Sequence, residues 1–223
     1  MPTDKHLRPV RWDLYVITDE QLGGGRSHEE QARAALAGGA GVIQLRDKLS
    51  SARRLYEAAC ALRTLTRAAG AFLIVNDRLD IALAAEADGL HLGPSDLPVR
   101  VARALLRPGM ILGASTATAA EALTAEADGA DYLGVGALYE ARGSKADAGP
   151  PVGPARVAEV RTAVRIPIVG IGGIKLENAA AVIAAGADGV AVITGVVAAP
   201  EIAAAAVRFV EVVRAAKQQR GTA

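Results

Sequence analysis

The chain has 223 residues and carries 25 Lys and Arg against 24 Asp and Glu, a net charge of +1, so no whole-molecule field draws it to nucleic acid. Hydrophobic residues make up 51% of the chain and aromatic ones only 3%, which excludes a base-stacking platform and predicts an interior of Ala, Val, Leu and Ile, as in helices packed on a parallel sheet. The length suits one α/β barrel, and no Pro- or Ser-rich linker divides it.

Residues 1–11 read as a flexible extension, 12–218 as the folded domain and 219–223 as a tail. The opening MPTDKHLRPVRW is charged and lacks the apolar stretch of a secretion signal, and no later run is long enough to span a bilayer. The expected location is therefore the cytoplasm. WDLYVIT (12–18) predicts the first strand, and QLGGGRS (21–27), which lacks the GK[ST] ending of a phosphate-binding P-loop, reads as a flexible turn.

After a helix at 27–38 comes GVIQLRDK (41–48), a buried strand that ends in charge. Alternation puts Val42, Gln44, Arg46 and Lys48 on one face and Ile43 and Leu45 on the other. A helix at 50–69 follows, with the lone Cys60 expected as a buried structural thiol. The third strand, AFLIVN (71–76), ends in Asn76-Asp77, and after a helix at 78–86 the fourth, DGLHLG (88–93), runs into GPSD and Asp96. Each Asp is open to two readings: helix N-cap, or, as a pair, ligands of a hard cation such as Mg²⁺ beside a polyphosphate. His91 could reach the mouth or sit satisfied in the barrel wall, and the wall is the expected place.

Beyond the helix at 98–106, MILGAS (110–115) places Ser115 at a strand end, where it could also cap the helix at 118–127. DYLGVG (131–136) gives the sixth strand, and the long loop after it carries Arg142, Ser144 and Lys145, either as a lid or as a solvated charge run. After a helix at 154–163, IPIVGI (166–171) leads into Gly172-Gly173, and after one at 175–185, GVAVIT (189–194) ends in Ile193-Thr194 before a last helix at 200–218. Backbone N–H groups after the seventh and eighth strands of a barrel commonly cradle a phosphate.

Eight strands alternating with eight helices predict a single-domain (β/α)₈ TIM barrel. LAGGAGVIQLR, AAEADGLHLG, AEADGADYLGVG and AAGADGVAVI repeat one helix-end, turn and strand junction before every even strand. In such a barrel Gln44, Arg46 and Lys48 face the lumen and its mouth, where cations require an anionic partner. Two anion sites across one pocket, one with a metal, suggest an enzyme that joins or cleaves two phosphorylated small molecules.

Together LYVITD (14–19), QLRDK (44–48), VND (75–77), GLHLGPSD (89–96), GAS (113–115), DYLGVG (131–136), SKADAGPP (144–151), VGIGGI (169–174) and GVAVIT (189–194) resemble thiamine phosphate synthase over nearly the whole chain. The resemblance implies a transferase that couples hydroxymethylpyrimidine diphosphate to a thiazole phosphate, releasing pyrophosphate. It implies that Gln44, Arg46, Lys48, Asn76, Ser115 and Lys145 hold the pyrimidine diphosphate and that Asp77 and Asp96 hold Mg²⁺. The thiazole phosphate would rest on Gly172 or Gly173, Ile193 and Thr194, and the sixth-strand loop. There the family's Thr-x-Thr-Lys run is replaced by ARGSK, which offers Arg142 and Ser144. Partners are expected to be small molecules, with a homo-oligomer possible and neither nucleic acid nor membrane involved. A thiazole tautomerase-like barrel, a metal-free sugar-phosphate epimerase or a non-catalytic phosphate-binding barrel are the competing expectations.

Overall fold

The computed structural model describes residues 9–140 and 150–221. In chain order it contains β1 (Leu14–Thr18), α1 (His28–Ala37), β2 (Val42–Leu45), α2 (Ala52–Ala68), β3 (Phe72–Asn76), α3 (Leu79–Ala84), β4 (Gly89–Leu92) and α4 (Val99–Leu105). There follow β5 (Ile111–Thr116), α5 (Ala119–Ala127), β6 (Tyr132–Val135), α6 (Ala155–Ala163), β7 (Ile168–Ile171), α7 (Leu176–Ala184), β8 (Gly189–Val192), α8 (Thr194–Val197) and α9 (Ile202–Gly221). All the strands are parallel, and β1 pairs with β8 to close the ring, giving one (β/α)₈ barrel. No helix among the described residues is long and apolar enough to cross a membrane.

Alternation along each strand produces two separate cores. Ile43 and Leu45 join the large aliphatic layer between strands and helices, whereas Val42 joins Tyr15, Phe72, Ile74, Ile111, Tyr132 and Val169 inside the ring. Val10 and Trp12 pack against that inner cluster, with the Trp12 ring 4.7 Å from the ring of Tyr132. Cys60 lies partly buried against the outer layer.

The fourfold echo is one structural device. At each helix end the residue before the last Ala of the turn has positive φ: Gly39 (93°), Glu86 (51°), Gly129 (100°) and Gly186 (111°). The next residue's amide then reaches back five residues, as in Ala40 to Ala35 and Ala130 to Ala125, closing the helix in a left-handed turn. The Asp that follows in three of the four copies has a task of its own. Asp88, Asp131 and Asp188 each accept a hydrogen bond from the first amides of the preceding strand, Leu73, Leu112 and Ile168, at 2.8 Å. Each also meets an arginine of the helix before that strand, Arg63, Arg103 or Arg161. The clip thus ties an odd strand, the helix before it and the next even strand. Gly41 holds the equivalent position before β2, because a Cβ there would lie 1.9 Å from the Arg11 carbonyl oxygen.

Two expectations need correction. β8 ends at Val192 rather than at Thr194, and Thr194 instead opens the short helix α8, whose Val196 and Val197 are buried. The QLGGGRS segment is tied down rather than loose, since Arg26 donates to the carbonyls of Gly23, Val197 and Ala199 at 2.8–2.9 Å. Removing one clip should be costly: Asp131→Ala is expected to lower unfolding stability by about 2 kcal/mol, because the Leu112 amide and Arg103 both lose a charged partner. Urea unfolding of the variant measures this, and an unchanged midpoint would contradict the clip.

Candidate active site

At the C-terminal rim of the barrel, β2 delivers its two cations. Arg46 Nη1 lies 3.3 Å from Asp19 Oδ2, just past the end of β1, and the pair is largely buried. Asp19 was not anticipated from the sequence. Its Oδ1 accepts the amides of Gln21 and Leu22, so the carboxylate that orients Arg46 is itself fixed. Lys48 Nζ lies 3.3 Å from Asp77 Oδ2, which brings the second cation onto the neighbouring loop.

Asp77 and Asp96 face one another across the loops after β3 and β4, and neither is a helix cap. The N-caps of α3 and α4 are Arg78 and Pro98, with no side-chain cap bond. Asp77 holds a left-handed backbone (φ 61°) that few non-glycine residues adopt. Its amide donates to the His91 carbonyl at 2.9 Å, which fixes the turn. Asp96 Oδ2 accepts the Gly93 amide at 2.6 Å, so the GPSD loop wraps its own carboxylate. Burial pushes the Asp77 carboxyl up to about 6, with the Asp96 carboxylate adding to the rise and Lys48 opposing it. Two carboxylates so placed are short of positive charge.

Beneath the rim runs a chain of hydrogen bonds. Gln44 Nε2 donates to Tyr15 OH (2.8 Å), and Tyr15 OH meets Tyr132 OH (2.8 Å). Tyr132 OH meets His91 Nδ1 (2.9 Å), and His91 Nε2 meets Ser115 Oγ (2.9 Å). Each phenol has one hydrogen. When Tyr15, which accepts from Gln44, sends its hydrogen to Tyr132, Tyr132 donates to Nδ1 and Nε2–H donates to Ser115, so that each hydrogen in the chain finds an acceptor. In that arrangement the Ser115 hydroxyl hydrogen is available to a ligand. Burial pushes the pKa of both phenols above the usual tyrosine range, so they remain neutral. Ser115 is therefore no helix cap; Thr118 caps α5 by accepting the Glu121 amide. His91 is satisfied in the wall, as expected, and also lines a lumen cavity of about 20 Å³ with Gln44 and Asn76, room for about one water.

Opposite, the loop after β7 needs glycine. Gly172 (φ 96°) and Gly173 (φ 63°) adopt left-handed conformations, and a Cβ on them would lie 2.6 Å from Ala137 Cα and 2.7 Å from the Glu140 carbonyl oxygen. Asn178 pins this loop by donating to the Gly173 carbonyl and accepting the Lys175 amide. Ile193 and Thr194 form the start of α8 alongside. Arg142, Ser144 and Lys145 lie outside the described residues.

The raised Asp77 carboxyl has a sign that can be measured. The folded state holds this proton to higher pH than the unfolded chain does, so stability falls as pH rises from the ordinary 3.8 toward 6. With a chelator present, the Asp77 side-chain carbon is expected to titrate near pH 6 by NMR, and Asp96→Asn should move the midpoint down. A midpoint that ignores Asp96 would contradict the facing pair.

Comparison with known proteins agrees with this geometry. The family described as thiamine monophosphate synthase matches residues 14–196. The thiamine-phosphate synthase of Moorella thermoacetica is 61% identical over 207 residues, covering 93% of this chain and 98% of that protein. That of Methanoculleus marisnigri is 54% identical over 208 residues, covering 93% and 98%. Among solved structures, thiamine phosphate pyrophosphorylase from Pyrococcus furiosus superposes with a TM-score of 0.86 at 41% identity, covering 93% of this chain and 98% of that one. The chain belongs to the thiamine monophosphate synthase family.

Proposed function

We propose that this barrel is a transferase that couples 4-amino-2-methyl-5-hydroxymethylpyrimidine diphosphate to a thiazole phosphate, giving thiamine phosphate and pyrophosphate. The observation that carries this reading is the meeting, at one rim, of two cations from β2 with two carboxylates from the loops after β3 and β4. Cations alone would suit a monophosphate. Cations facing a carboxylate pair suit a diphosphate that arrives with a divalent ion.

The donor set fits Mg²⁺: Asp77 and Asp96 offer hard oxygens, and Asp77 is short of compensating charge. No group of three or more His, Cys, Asp or Glu among the described residues could hold an ion, which suits an ion that completes its shell with water and substrate phosphate. Held there, Mg²⁺ would supply charge neutralisation to the departing pyrophosphate.

The chain's own residues do the rest. Arg46 and Lys48 bind the diphosphate oxygens, with Lys145 and the hydroxyl of Ser115 as further donors. Gln44 and Asn76, with the neutral network below them, receive the aminopyrimidine ring and keep it facing the rim. The ring donates electrons as the methylene C–O bond breaks, and the bonding pair leaves with pyrophosphate. The thiazole nitrogen lone pair then forms the new C–N bond, while Gly172, Gly173, Ile193 and Thr194, with Arg142 and Ser144, anchor the thiazole phosphate so that the nitrogen is in line. A positive methylene carbon above an uncharged floor meets no repulsion. Alignment and stabilisation of the leaving charge account for the catalysis.

Incubating the protein with both phosphorylated precursors is expected to release pyrophosphate in the presence of Mg²⁺ and to stop on its chelation. Asp77→Ala and Asp96→Ala should each lower kcat by about a hundredfold or more. Wild-type rates in either variant would remove the metal role, and absence of release under every condition would remove the transferase reading.

A further inference from the structure

The segment that carries Arg46 and Lys48 has a second, outward face. Alternation turns Asp47, between them, away from the mouth and over the start of α1. Its Oδ1 accepts the amides of Leu49 (2.9 Å) and Ser50 (3.0 Å), while its Oδ2 faces His28 Nε2 at 3.5 Å. Burial works against the charge on Asp47, but hydrogen bonds from Ser50 and Leu49, with the His28 ring close by, outweigh it and hold the carboxyl down at about 2.

His28, the first residue of α1, is 4% exposed. Its Nδ1 lies 2.8 Å from Thr18 Oγ1, and the Thr18 hydroxyl donates its single hydrogen to the Gln44 carbonyl oxygen. Nδ1 must therefore donate to Thr18. Nε2, buried and without a hydrogen bond of its own, has Asp47 before it; with Nδ1–H given to Thr18, a second proton on Nε2 makes the ring an imidazolium, and it is as this cation that His28 holds the carboxylate. Beyond this pair opens a cavity of about 240 Å³ walled by Glu20, Glu29, Arg54 and Glu57. Open space there leaves Asp47 without packing on that side, so its lateral tether is His28. A line of contacts thus joins the end of β1, the backbone of β2 at Gln44, the start of α1 and the residue between the two rim cations.

We propose that His28 is a positioning residue for the diphosphate site: by holding Asp47 it fixes the backbone between Arg46 and Lys48, and with it the spacing of the two cations. The inference rests on the assignment of Arg46 and Lys48 to a diphosphate. It requires that His28 act on one substrate and not on the other.

Two variants of the full chain separate this from a packing role. In His28→Asn the side-chain amide keeps a donor near the Nδ1 position for Thr18 but stops short of Asp47, whereas in His28→Gln the amide extends to where Nε2 lies. With inorganic pyrophosphate and Mg²⁺ as the calorimetric probe, H28N is expected to bind about tenfold more weakly. Its KM for the diphosphate substrate should rise in step, with the KM for thiazole phosphate and the melting temperature unchanged. H28Q should recover most of the loss, and Asp47→Asn should reproduce it without adding to H28N. Wild-type pyrophosphate affinity in H28N, equal losses in H28N and H28Q, or a rise in both KM values that follows a lower melting temperature would overturn the proposal. Arg46→Ala is the control. If it too leaves pyrophosphate binding unchanged, the diphosphate assignment fails; if it alone weakens binding, the positioning role fails and the assignment stands.

Discussion

In a closed ring of parallel strands a side chain has two places to go, into the lumen or beneath the helices. β2 uses both within eight residues. Ile43 and Leu45 are spent on the outer aliphatic layer, which is filled with small and branched side chains, and this frees the alternate positions for Gln44 and, past the strand's end, Arg46 and Lys48. The same two-way division sends Asp47 to the helical side. No edge strand exists to relax the register, since β1 pairs with β8 and every strand has two neighbours. A slip of one residue in β2 would bury Arg46 and Lys48 among aliphatic groups, at a cost that no local rearrangement could offset.

The fold was legible because its signals are local and repeated. Short apolar runs, Ala-rich helices and four copies of one junction need no knowledge of distant partners. What escaped was whatever depends on meeting in space. Ser115, Asp77 and Asp96 look alike as cap candidates in one dimension; only the positions of Thr118, Arg78 and Pro98 show that the caps lie elsewhere. Asp19, His28 and Tyr15 gave no sign of function, because each matters through a residue tens of positions away. The helix at Thr194–Val197 was hidden since four residues carry too little periodicity to register, and what holds it is distant in sequence: Arg26 donates to the carbonyls of Val197 and Ala199 at its end.

The inner network links two properties that are usually treated apart, neutrality and polarity. Tyr15, Tyr132 and His91 are buried together without any formal charge being needed, because each hydrogen has an acceptor waiting. The result is a floor that runs from a side-chain amide on β2 to the Ser115 hydroxyl on β5. A donor at Ser115 suits an anion above it, and the uncharged floor suits a carbon that becomes positive. The charged groups are confined to the rim, where each is held by a carboxylate or an amide rather than by the floor.

The clips at Asp88, Asp131 and Asp188 join three of the eight neighbouring strand pairs, each between elements that are close along the chain. The join that closes the ring is of another kind. There Asp13, at the entry to β1, meets Arg214 and Lys217 of α9, and Leu14 pairs with Val190. The cylinder is in effect a strap whose buckle is made from its two ends. Sewing those ends together and cutting the chain within an exposed stretch elsewhere would leave every stitch in place and turn the slowest, most distant encounter into a neighbourly one.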